Sequence, residues 1–359
     1  MRRILILLAL LVLPAYAADK TLNLYIWSDY LAPDTLAGFT KATGIKVNVD
    51  VFDASEMLEA KMLAGSSGYD VIVPNGPTIA RLAQAGIVRE IDKAKLPHLG
   101  TQDPTIVGRA ATMDPGNAHG IVYMWGTSGL GVNTAKVRVA LGKDVKLDSW
   151  ALLFDPAQAA KLAACGIYVL DSPSDAFSIA LAYLGKDPYS TTPADTEAAA
   201  ALWQKVRPFI AKFHSSEYIS ALANGDICLA VGYSGDVFQA RERAAKAKNG
   251  VEIGYIIPRE GTMMWFDFMA IPRDAPHPDA AHAFLDYILQ PAVIGAISNA
   301  VYYANANAQS APFVDQALRE DRSVYPDPAV MGRLFPELNP PQAIERLRTR
   351  LWNRVKAGT

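Results

Sequence analysis

The chain has 359 residues, of which 51% are hydrophobic and 19% are charged, and its formal net charge is −2 at pH 7. That length exceeds what one hydrophobic core usually supports, so two domains are expected. The slightly acidic balance argues against a nucleic-acid partner and favours a cationic one. Two cysteines are too few for a four-thiolate metal site, and the five histidines show no metal-binding spacing, so no metal or other cofactor is expected.

Residues 1–18 have the pattern of a cleaved secretory signal peptide. A basic start is followed by an apolar stretch at residues 4–13 and by small residues around Ala17. The apolar stretch is too short to span a bilayer, and no later segment is long and apolar enough to do so. We therefore expect an exported, soluble protein. In an exported chain Cys165 and Cys228 favour one disulfide, with two buried free thiols as the alternative.

The first part of the chain alternates predicted strands and helices. The strands are predicted at 21–26, 45–52 and 69–73, and the helices at 32–44, 56–64 and 78–85. A capping box at 53–56 is predicted to open the second helix. Such alternation predicts an α/β fold in which a parallel sheet carries helices on both faces.

Residues 120–133 form a long, glycine-containing segment that we interpret as a strand passing from one domain into the next. A second alternating region follows, with helices at 150–162, 175–184, 196–213 (broken near Pro208), 219–223 and 237–246, and strands at 167–170, 227–231, 251–257 and 266–271. Helices at 278–289 and 291–299 and a helical end through residue 355 complete the chain. No linker separates the halves, which indicates two lobes joined by several chain crossings.

Three short segments place an aromatic ring beside a carboxylate. They are Trp27-Ser28-Asp29-Tyr30, Tyr233-Ser234-Gly235-Asp236 and Trp265-Phe266-Asp267. A ring face attracts an organic cation by about 0.5–2 kcal/mol, and a carboxylate holds one by a charge-assisted hydrogen bond. Together the three segments would form a box for an amine. The alternative interpretation is that they are core aromatics next to surface acids.

The position of these segments relative to the predicted strands favours the box. Residues 27–30 follow the first strand, Asn75 follows the third, and residues 233–236 follow a strand of the second region. Ligands of parallel α/β sheets bind outside the carboxyl ends of the strands. The sequence therefore predicts that these residues lie at a binding edge.

Several ordered motifs carry a resemblance that covers essentially all of the chain after the signal peptide. They are Trp-Ser-Asp-Tyr at 27–30, Thr-Gly-Ile-Lys-Val at 43–47, Leu-Gly-Lys-Asp-Pro at 184–188, His-Ser-Ser at 214–216, Leu-Ala-Asn-Gly-Asp-Ile-Cys at 222–228, Tyr-Ala-Asn-Ala-Asn at 303–307 and Arg-Leu-Arg-Thr-Arg at 346–350. The chain resembles the periplasmic putrescine/spermidine receptors of bacterial polyamine ABC transporters, and the putrescine-type receptors most.

The resemblance implies a two-lobed periplasmic binding protein fold of type II, in which each lobe is a mostly parallel sheet flanked by helices and a hinge joins the lobes. The implied first lobe contains residues 19–124 and 254–306, and the implied second lobe contains 125–253 and 307–359. It also implies a monomeric periplasmic receptor, not an enzyme, that passes a polyamine to a membrane ABC permease. A Cys165–Cys228 bridge in the second lobe is implied as well.

The same resemblance implies a ligand site. Its aromatic residues are Trp27, Tyr30, Tyr233, Trp265 and Tyr303, its acids are Asp29, Asp175, Asp236 and Asp267, and its other polar contacts are Ser28 and Asn75. Four positions depart from the putrescine-type pattern. Asp175 replaces Glu, Tyr233 replaces Trp, Asn75 replaces Ser, and Trp265 replaces a Phe for which spermidine-type members tend to carry Trp. An amine site is retained, whereas the individual ligand does not follow.

Two alternatives remain open from the sequence. The same fold could bind agmatine, cadaverine or γ-aminobutyrate, although the box segments contain no Arg or Lys to hold a carboxylate. An exported hydrolase is suggested by His214-Ser215-Ser216, but no Gly-x-Ser-x-Gly elbow is present and adjacent His and Ser do not have triad geometry. The arginines at 346, 348, 350 and 354 are interpreted as a solvated helix face.

Overall fold

The computed structural model describes residues 20–359, so the predicted signal peptide at residues 1–18 lies outside the described residues. The strands of this part are β1 (Thr21–Trp27), β2 (Lys46–Phe52), β3 (Val71–Ile72), β4 (Gly120–Asn133), β5 (Ile167–Val169), β6 (Lys212–Phe213), β7 (Leu229–Tyr233), β8 (Ile253–Ile256), β9 (Thr262–Ala270), β10 (Ala304–Asn305) and β11 (Leu334–Pro336). The helices are α1 (Thr35–Thr43), α2 (Ser55–Leu63), α3 (Gly76–Gln84), α4 (Pro104–Ala110), α5 (Thr134–Leu141), α6 (Ala151–Phe154), α7 (Pro156–Ala163), α8 (Pro173–Tyr183), α9 (Pro193–Val206), α10 (Glu217–Asn224), α11 (Ser234–Ala247), α12 (Pro278–Ile288), α13 (Pro291–Val301), α14 (Gln316–Glu320), α15 (Pro328–Met331) and α16 (Gln342–Ala357).

The sheet contains two parallel sets of strands, one in each half of the chain. β2, β1 and β3 are parallel neighbours in the first set, and β7, β5 and β6 are parallel neighbours in the second. Helices connect the strands of each set, as parallel pairing requires. β9 and β4 lie between the two sets; they run antiparallel to each other, β9 runs antiparallel to β3, and β4 runs antiparallel to β7. The alternation seen in the sequence therefore predicted the first set and strands β5 and β7 of the second, whereas β6 lies in a segment that was predicted to be helical.

β4 connects the two sets, as its length and glycine content predicted. Residues 120–127 pair with β9, and the following residues through Asn133 pair with β7 and β8. Every residue of β4 is buried. Such complete burial on both faces is typical of a central strand covered by helices on each side.

The buried side chains form three clusters. Leu130, Phe177 and Trp203 belong to a cluster that includes Trp352 of α16, whereas the two other clusters combine side chains of β1 and β3 with those of β9. Val314, Leu318, Val324 and Leu334 share one of these two clusters with Tyr25 of β1. The division into lobes at 19–124 with 254–306 and 125–253 with 307–359 stays a prediction.

Contacts along residues 307–338 reach several elements. Phe313 packs against Gly295 of α13, and the Arg109 guanidinium of α4 donates to the carbonyl oxygen of Met331 at 3.0 Å. Arg241 of α11 forms an ion pair with Asp321 at 3.1 Å, and the Tyr189 hydroxyl donates to the carbonyl oxygen of Pro336 at 2.9 Å.

Three local predictions also differ from the structure. The capping box at 53–56 does not form, because α2 begins at Ser55 and Ala54 occupies the cap position. The long helix predicted at 196–213 ends at Val206 and is followed by a single 3₁₀ turn containing Pro208, then by β6. The predicted helical C-terminal part contains the short strand β11. Proline lacks the N–H that a continuing helix needs, which accounts for the early helix end.

The disulfide prediction is confirmed. Cys165 and Cys228 are bonded, and their Cα atoms are 5.5 Å apart. The bridge ties Cys165, the second residue after α7, to the residue before β7. It therefore fixes the start of a strand whose far end reaches the candidate site.

Within residues 20–359, no single helix is long and apolar enough to cross a membrane. Helices α12 and α13 reach the length and hydropathy of a membrane span only when they are combined, and the two are bent by 75° relative to each other. Phe284 and Leu285 of α12 and Ile294 and Ile297 of α13 are buried in the core beside β1.

Candidate functional site

A cleft of about 450 Å³ opens at the carboxyl edge of the sheet. Nine of the eleven predicted site residues line it, namely Trp27, Tyr30, Asn75, Asp175, Tyr233, Asp236, Trp265, Asp267 and Tyr303. Trp27 and Tyr233 are the last residues of β1 and β7, and Asn75 caps α3 after β3. The parallel strands thus deliver these side chains to one edge, as the strand-end argument predicted.

Ser28 and Asp29 are not among the residues that line the cleft. Asp29 has φ of 54° and is exposed, a left-handed conformation that Asp tolerates better than most residues. The Ser28 backbone N–H donates to the carbonyl oxygen of Phe52 at 3.2 Å. This tight turn reverses the chain and carries Tyr30 into the cleft. Ligand contacts by Ser28 and Asp29 stay a prediction.

The aromatic residues form walls that meet nearly at right angles. The Trp265 ring lies 5.0 Å from that of Tyr303 and 5.9 Å from that of Tyr233, with interplanar angles of 77° and 82°. Tyr30 packs edge-to-face on Tyr303 at 5.8 Å. Such edge-to-face packing suits the quadrupoles of the rings. It leaves ring faces and edges around an elongated space.

Two indole N–H groups in this cleft lack a partner. Among the described residues no acceptor lies within hydrogen-bonding distance of Nε1 of Trp27 or of Trp265. Both rings therefore contribute apolar and π surface to the cleft without being tied by their polar atom.

Hydroxyl groups hold the three predicted acids that line the cleft. Tyr30 donates to Asp267 Oδ2 at 2.7 Å. Tyr218 and Tyr303 donate to the two oxygens of Asp236 at 2.7 and 2.8 Å. These tyrosines are neutral donors, so they orient each carboxylate without cancelling its charge.

Asp175 has the same kind of surroundings at the start of α8. Ser128 donates to Oδ1, and Ser172 donates to Oδ2 at 2.7 Å. The Tyr233 hydroxyl lies 3.5 Å from Oδ2. Among residues 20–359, no Lys or Arg forms a salt bridge with Asp175, Asp236 or Asp267.

Burial makes these acids costly to ionise. It raises the pKa of Asp267 to about 7, and the Tyr30 hydrogen bond only partly opposes this. Burial also raises the pKa of Asp175 and of Asp236, again against the lowering effect of the hydroxyl donors. Desolvation favours the neutral form of a carboxyl group, whereas a nearby cation favours the charged form. The cleft therefore gains most from a ligand that carries positive charge.

The structure adds one acid that the sequence did not single out. Glu337 lines the cleft, is only 8% exposed, and lies between β11 and α16. Burial, followed by the charge of Asp175, raises its pKa to about 8. The available signals were its place after a strand and its position two residues after Phe335, but β11 was predicted to be helical.

Two arginines also lie along the cleft, and one corrects an expectation. Arg348 is 4% exposed instead of lying on a solvated face, and burial lowers its pKa. Its Nη2 donates to the carbonyl oxygen of Pro188 at 3.3 Å. Arg81 donates to both oxygens of Glu59 at 2.7 and 2.6 Å. Neither arginine forms a salt bridge with a cleft acid.

The hydrolase alternative finds no suitable geometry. His214 Nδ1 accepts hydrogen bonds from the backbone N–H groups of Ser216 and Glu217, both at 3.2 Å. It therefore acts at the start of α10. The Ser216 hydroxyl lies 3.4 Å from the same nitrogen, which already accepts the two backbone hydrogen bonds and is therefore not free to activate a serine. Among the described residues no group of His, Cys, Asp and Glu could hold a metal ion.

An α/β fold with a deep cleft at the carboxyl edges of two parallel strand sets defines a solute receptor of the periplasmic binding protein class, type II. The family of bacterial extracellular solute-binding proteins matches residues 35–322. The chain belongs to this family.

Individual relatives narrow the comparison. Over 343 residues the chain is 48% identical to the putrescine-binding periplasmic protein PotF of Escherichia coli, covering 95% of this chain and 93% of that protein. Over 347 residues it is 47% identical to the putrescine-binding periplasmic protein SpuD of Pseudomonas aeruginosa, covering 96% of this chain and 94% of that protein.

A solved structure shows the same architecture. The spermidine/putrescine ABC transporter substrate-binding protein PotD of Streptococcus pneumoniae is 25% identical and superposes with a TM-score of 0.82, covering 94% of this chain and 99% of that one.

Proposed function

We propose that the protein is a periplasmic receptor that captures a polyamine in the cleft and delivers it to an ABC importer in the membrane. The observation that carries this proposal is a ring-lined cleft containing four buried acids with no salt bridge to a basic residue among residues 20–359. The names of the relatives, which are putrescine-binding and periplasmic, support the same ligand class and location.

The energetics of a diamine fit this arrangement. Burying four methylenes contributes about 3 kcal/mol at roughly 0.8 kcal/mol each. Micromolar affinity requires about 8 kcal/mol net of association costs. Ring contacts and charge-assisted hydrogen bonds supply the remainder. Both ends of the ligand carry an ammonium group, so acids from separate segments are needed.

The side chains divide this task. Trp27, Tyr30, Tyr233, Trp265 and Tyr303 enclose the methylene chain, and Asp175, Asp236 and Asp267 accept from the cationic nitrogens. Asn75 already accepts from the Thr78 backbone N–H at 3.1 Å, so its role is to shape the wall. Ser28 and Asp29 reach the ligand only if the turn at 28–30 moves when the lobes close around their hinge.

A different amine on the same fold is the second candidate. Agmatine and cadaverine present the same cationic ends. γ-Aminobutyrate needs a cation for its carboxylate. Of the two arginines along the cleft, Arg81 is paired with Glu59, and Arg348 is buried and donates to the carbonyl oxygen of Pro188. The relatives are solute receptors, which leaves the hydrolase without support.

Thermal shift and calorimetry with putrescine, cadaverine, agmatine, spermidine, spermine and γ-aminobutyrate test the proposal. A ligand at 100 times its dissociation constant stabilises by about 2.7 kcal/mol. We expect at least one polyamine to raise the unfolding temperature. Asp236→Asn should lower the affinity for every diamine at least tenfold. The matched control is Asp144→Asn, an exposed acid away from the cleft, which should leave affinity within about twofold. No shift with any amine would refute the proposal.

A further inference from the structure

A second cavity, of about 400 Å³, lies on the opposite face of the sheet from the cleft. Trp125 of β4 lines this cavity, whereas a Cβ on the next residue, Gly126, would meet the Trp265 ring of the cleft. Side chains of successive strand residues point to opposite faces of a sheet. The second cavity shares no lining residue with the cleft, and its volume is typical of small-molecule sites. It is therefore a separate candidate site.

Aromatic and aliphatic side chains form much of the wall of the second cavity. The rings of Trp125 and Tyr325 meet edge-to-face, with centroids 6.3 Å apart and an interplanar angle of 90°. Ile106 and Met331 add aliphatic surface. The Trp125 N–H donates to the carbonyl oxygen of Asn305 at 3.1 Å, so Trp125 offers only its ring to an occupant. Such a wall favours a ligand with an apolar body.

Two side chains of opposite charge border this apolar space. Among its lining residues, all within residues 20–359, Asp103 is the one acid and Arg319 the one base. Asp103 Oδ1 accepts from the backbone N–H groups of Thr105 and Ile106 at 2.7 and 3.2 Å. Arg319 Nη1 donates to the carbonyl oxygen of Ala311 at 2.7 Å. Within the described chain neither side chain forms a salt bridge, so Asp103 Oδ2 and most of the guanidinium N–H groups stay available to a ligand.

We propose that the second cavity binds a small zwitterion whose ammonium group pairs with Asp103, whose carboxylate pairs with Arg319 and whose apolar body lies against the rings. A polyamine would bring several cations to a single acid and next to a guanidinium, and like charges repel each other. A carboxylic acid without an amine would leave Asp103 unpaired. An amino acid with a hydrophobic side chain, or an ω-amino acid with a methylene chain, has all three features. This site goes beyond polyamine capture in the cleft and does not depend on it.

Calorimetry on the full mature chain with L-phenylalanine and with 6-aminohexanoate tests the proposal. The two probes distinguish a ligand with adjacent charges from one with separated charges. We expect at least one of them to bind with a dissociation constant below about 1 mM. If neither binds, the inference is overturned.

Matched probes that lack one charge test the pairing with Asp103 and Arg319. They are 2-phenylethylamine and 3-phenylpropionate for the first zwitterion, and hexylamine and hexanoate for the second. Each should bind at least tenfold more weakly than its parent, because a charge-assisted hydrogen bond is lost. These titrations are made with saturating putrescine, which keeps the amines out of the cleft. Equal binding of a zwitterion and its singly charged analogues would contradict the inference.

Substitutions in the second cavity locate the binding. Arg319→Gln should lower the affinity for the zwitterion at least tenfold. Asp103→Asn should do the same and still cap α4, because Asn is as good an N-cap residue as Asp. Ala308→Leu adds bulk to the lining and should block binding without removing a charge. The matched control is Arg322→Gln, an exposed arginine outside the cavity, which should change the affinity by less than about twofold.

The outcomes separate the second cavity from the cleft. Arg319 and Ala308 are exposed, so their variants should fold and should bind putrescine as the unaltered protein does. If the cavity variants all bind the zwitterion as tightly as the unaltered protein, or if putrescine abolishes its binding, the zwitterion occupies another site and the inference fails. If the protein binds no polyamine, the proposed function fails, and the same variants still decide whether the second cavity binds the zwitterion.

Discussion

At the scale of single residues, the cleft orients its acids with hydroxyl groups instead of basic side chains. Asp236 is held by Tyr218 and Tyr303, and Asp267 is held by Tyr30. A salt bridge would fix the same carboxylates but would cancel the charge that attracts a cation. Neutral donors keep the negative potential in place. Tyr30 and Tyr303 also line the cleft, so each of these two contributes both positioning and apolar surface.

Trp265→Phe tests what the larger ring contributes. The Trp265 N–H has no partner among the described residues, so the substitution removes no hydrogen bond there and should cost less than about 2 kcal/mol of stability. Phe has less ring surface and a weaker cation–π attraction than Trp. We expect the spermidine-to-putrescine affinity ratio to change at least threefold, more than putrescine affinity itself, by calorimetry.

A buried tryptophan outside the cleft provides the control for that variant. Trp125 donates its N–H to the carbonyl oxygen of Asn305 at 3.1 Å. Trp125→Phe should therefore lower stability and leave the affinity ratio unchanged. If Trp265→Phe lowered the affinities for spermidine and putrescine by the same factor, the ring would serve as general apolar surface and would not discriminate between the two ligands.

The residue types show why most of the site could be predicted and Glu337 could not. Trp27, Tyr233 and Trp265 stand beside acids in short segments, and two of these segments follow strands. Packing of a hydrophobic core does not by itself require this combination. Glu337 stands between Pro336 and Leu338, where local sequence gives no sign of burial. Its place in the cleft depends on the pairing of β11 with β9, more than 70 residues earlier. Arg348 was misjudged for a related reason, since its burial depends on which helix face meets α8.

At the scale of elements, β4 approaches the site more closely than any side chain would allow. Gly126 pairs with Trp265 across the β4–β9 ladder. A Cβ at Gly126 would lie 2.4 Å from the Trp265 ring and 2.8 Å from the Ser234 hydroxyl oxygen. The missing side chain therefore lets the ring lie over the strand, where it faces Tyr233 and Tyr303.

Gly126→Ala should consequently displace the Trp265 ring from the cleft wall. We expect at least a tenfold loss of polyamine affinity by calorimetry, together with a changed tryptophan emission spectrum in the empty protein. The control is Gly108→Ala in α4, where an added Cβ has no atom within 4 Å. That change should leave binding intact and stabilise the protein by up to about 1 kcal/mol. Unchanged affinity in Gly126→Ala would show that the ring is not held by this close approach.

Elements with strong local patterns were predictable, and elements defined by distant pairing were not. The strand at 120–133 was visible from its length and glycines, and the parallel strands other than β6 were visible from strand–helix alternation. β10, β6 and β11 have only two or three residues. Such short strands form because a neighbouring strand pairs with them, and the local sequence does not show which distant segment that neighbour is.

At the scale of the whole molecule, the four acids link ligand binding to proton binding and to folding stability. Burial raises the pKa of Asp267 from its ordinary 3.8 to about 7 and that of Glu337 from 4.5 to about 8. Between the ordinary and the raised values, the folded protein holds protons that the unfolded chain has released. Folding stability must therefore fall as pH rises through that range, because the unfolded state binds fewer protons there.

We accordingly expect the free energy of unfolding of the empty protein to fall by more than about 1 kcal/mol between pH 5 and pH 8, since one pKa unit is worth about 1.4 kcal/mol. Saturating polyamine should reduce the fall, because a bound cation favours the ionised carboxylates. Urea unfolding at several pH values, with and without putrescine, measures both effects. The double variant Asp267→Asn, Glu337→Gln is the control, since it removes the two groups and should flatten the profile of the empty protein. If that variant retained the full pH dependence, the proton-linked loss of stability would arise elsewhere in the molecule and not from the cleft.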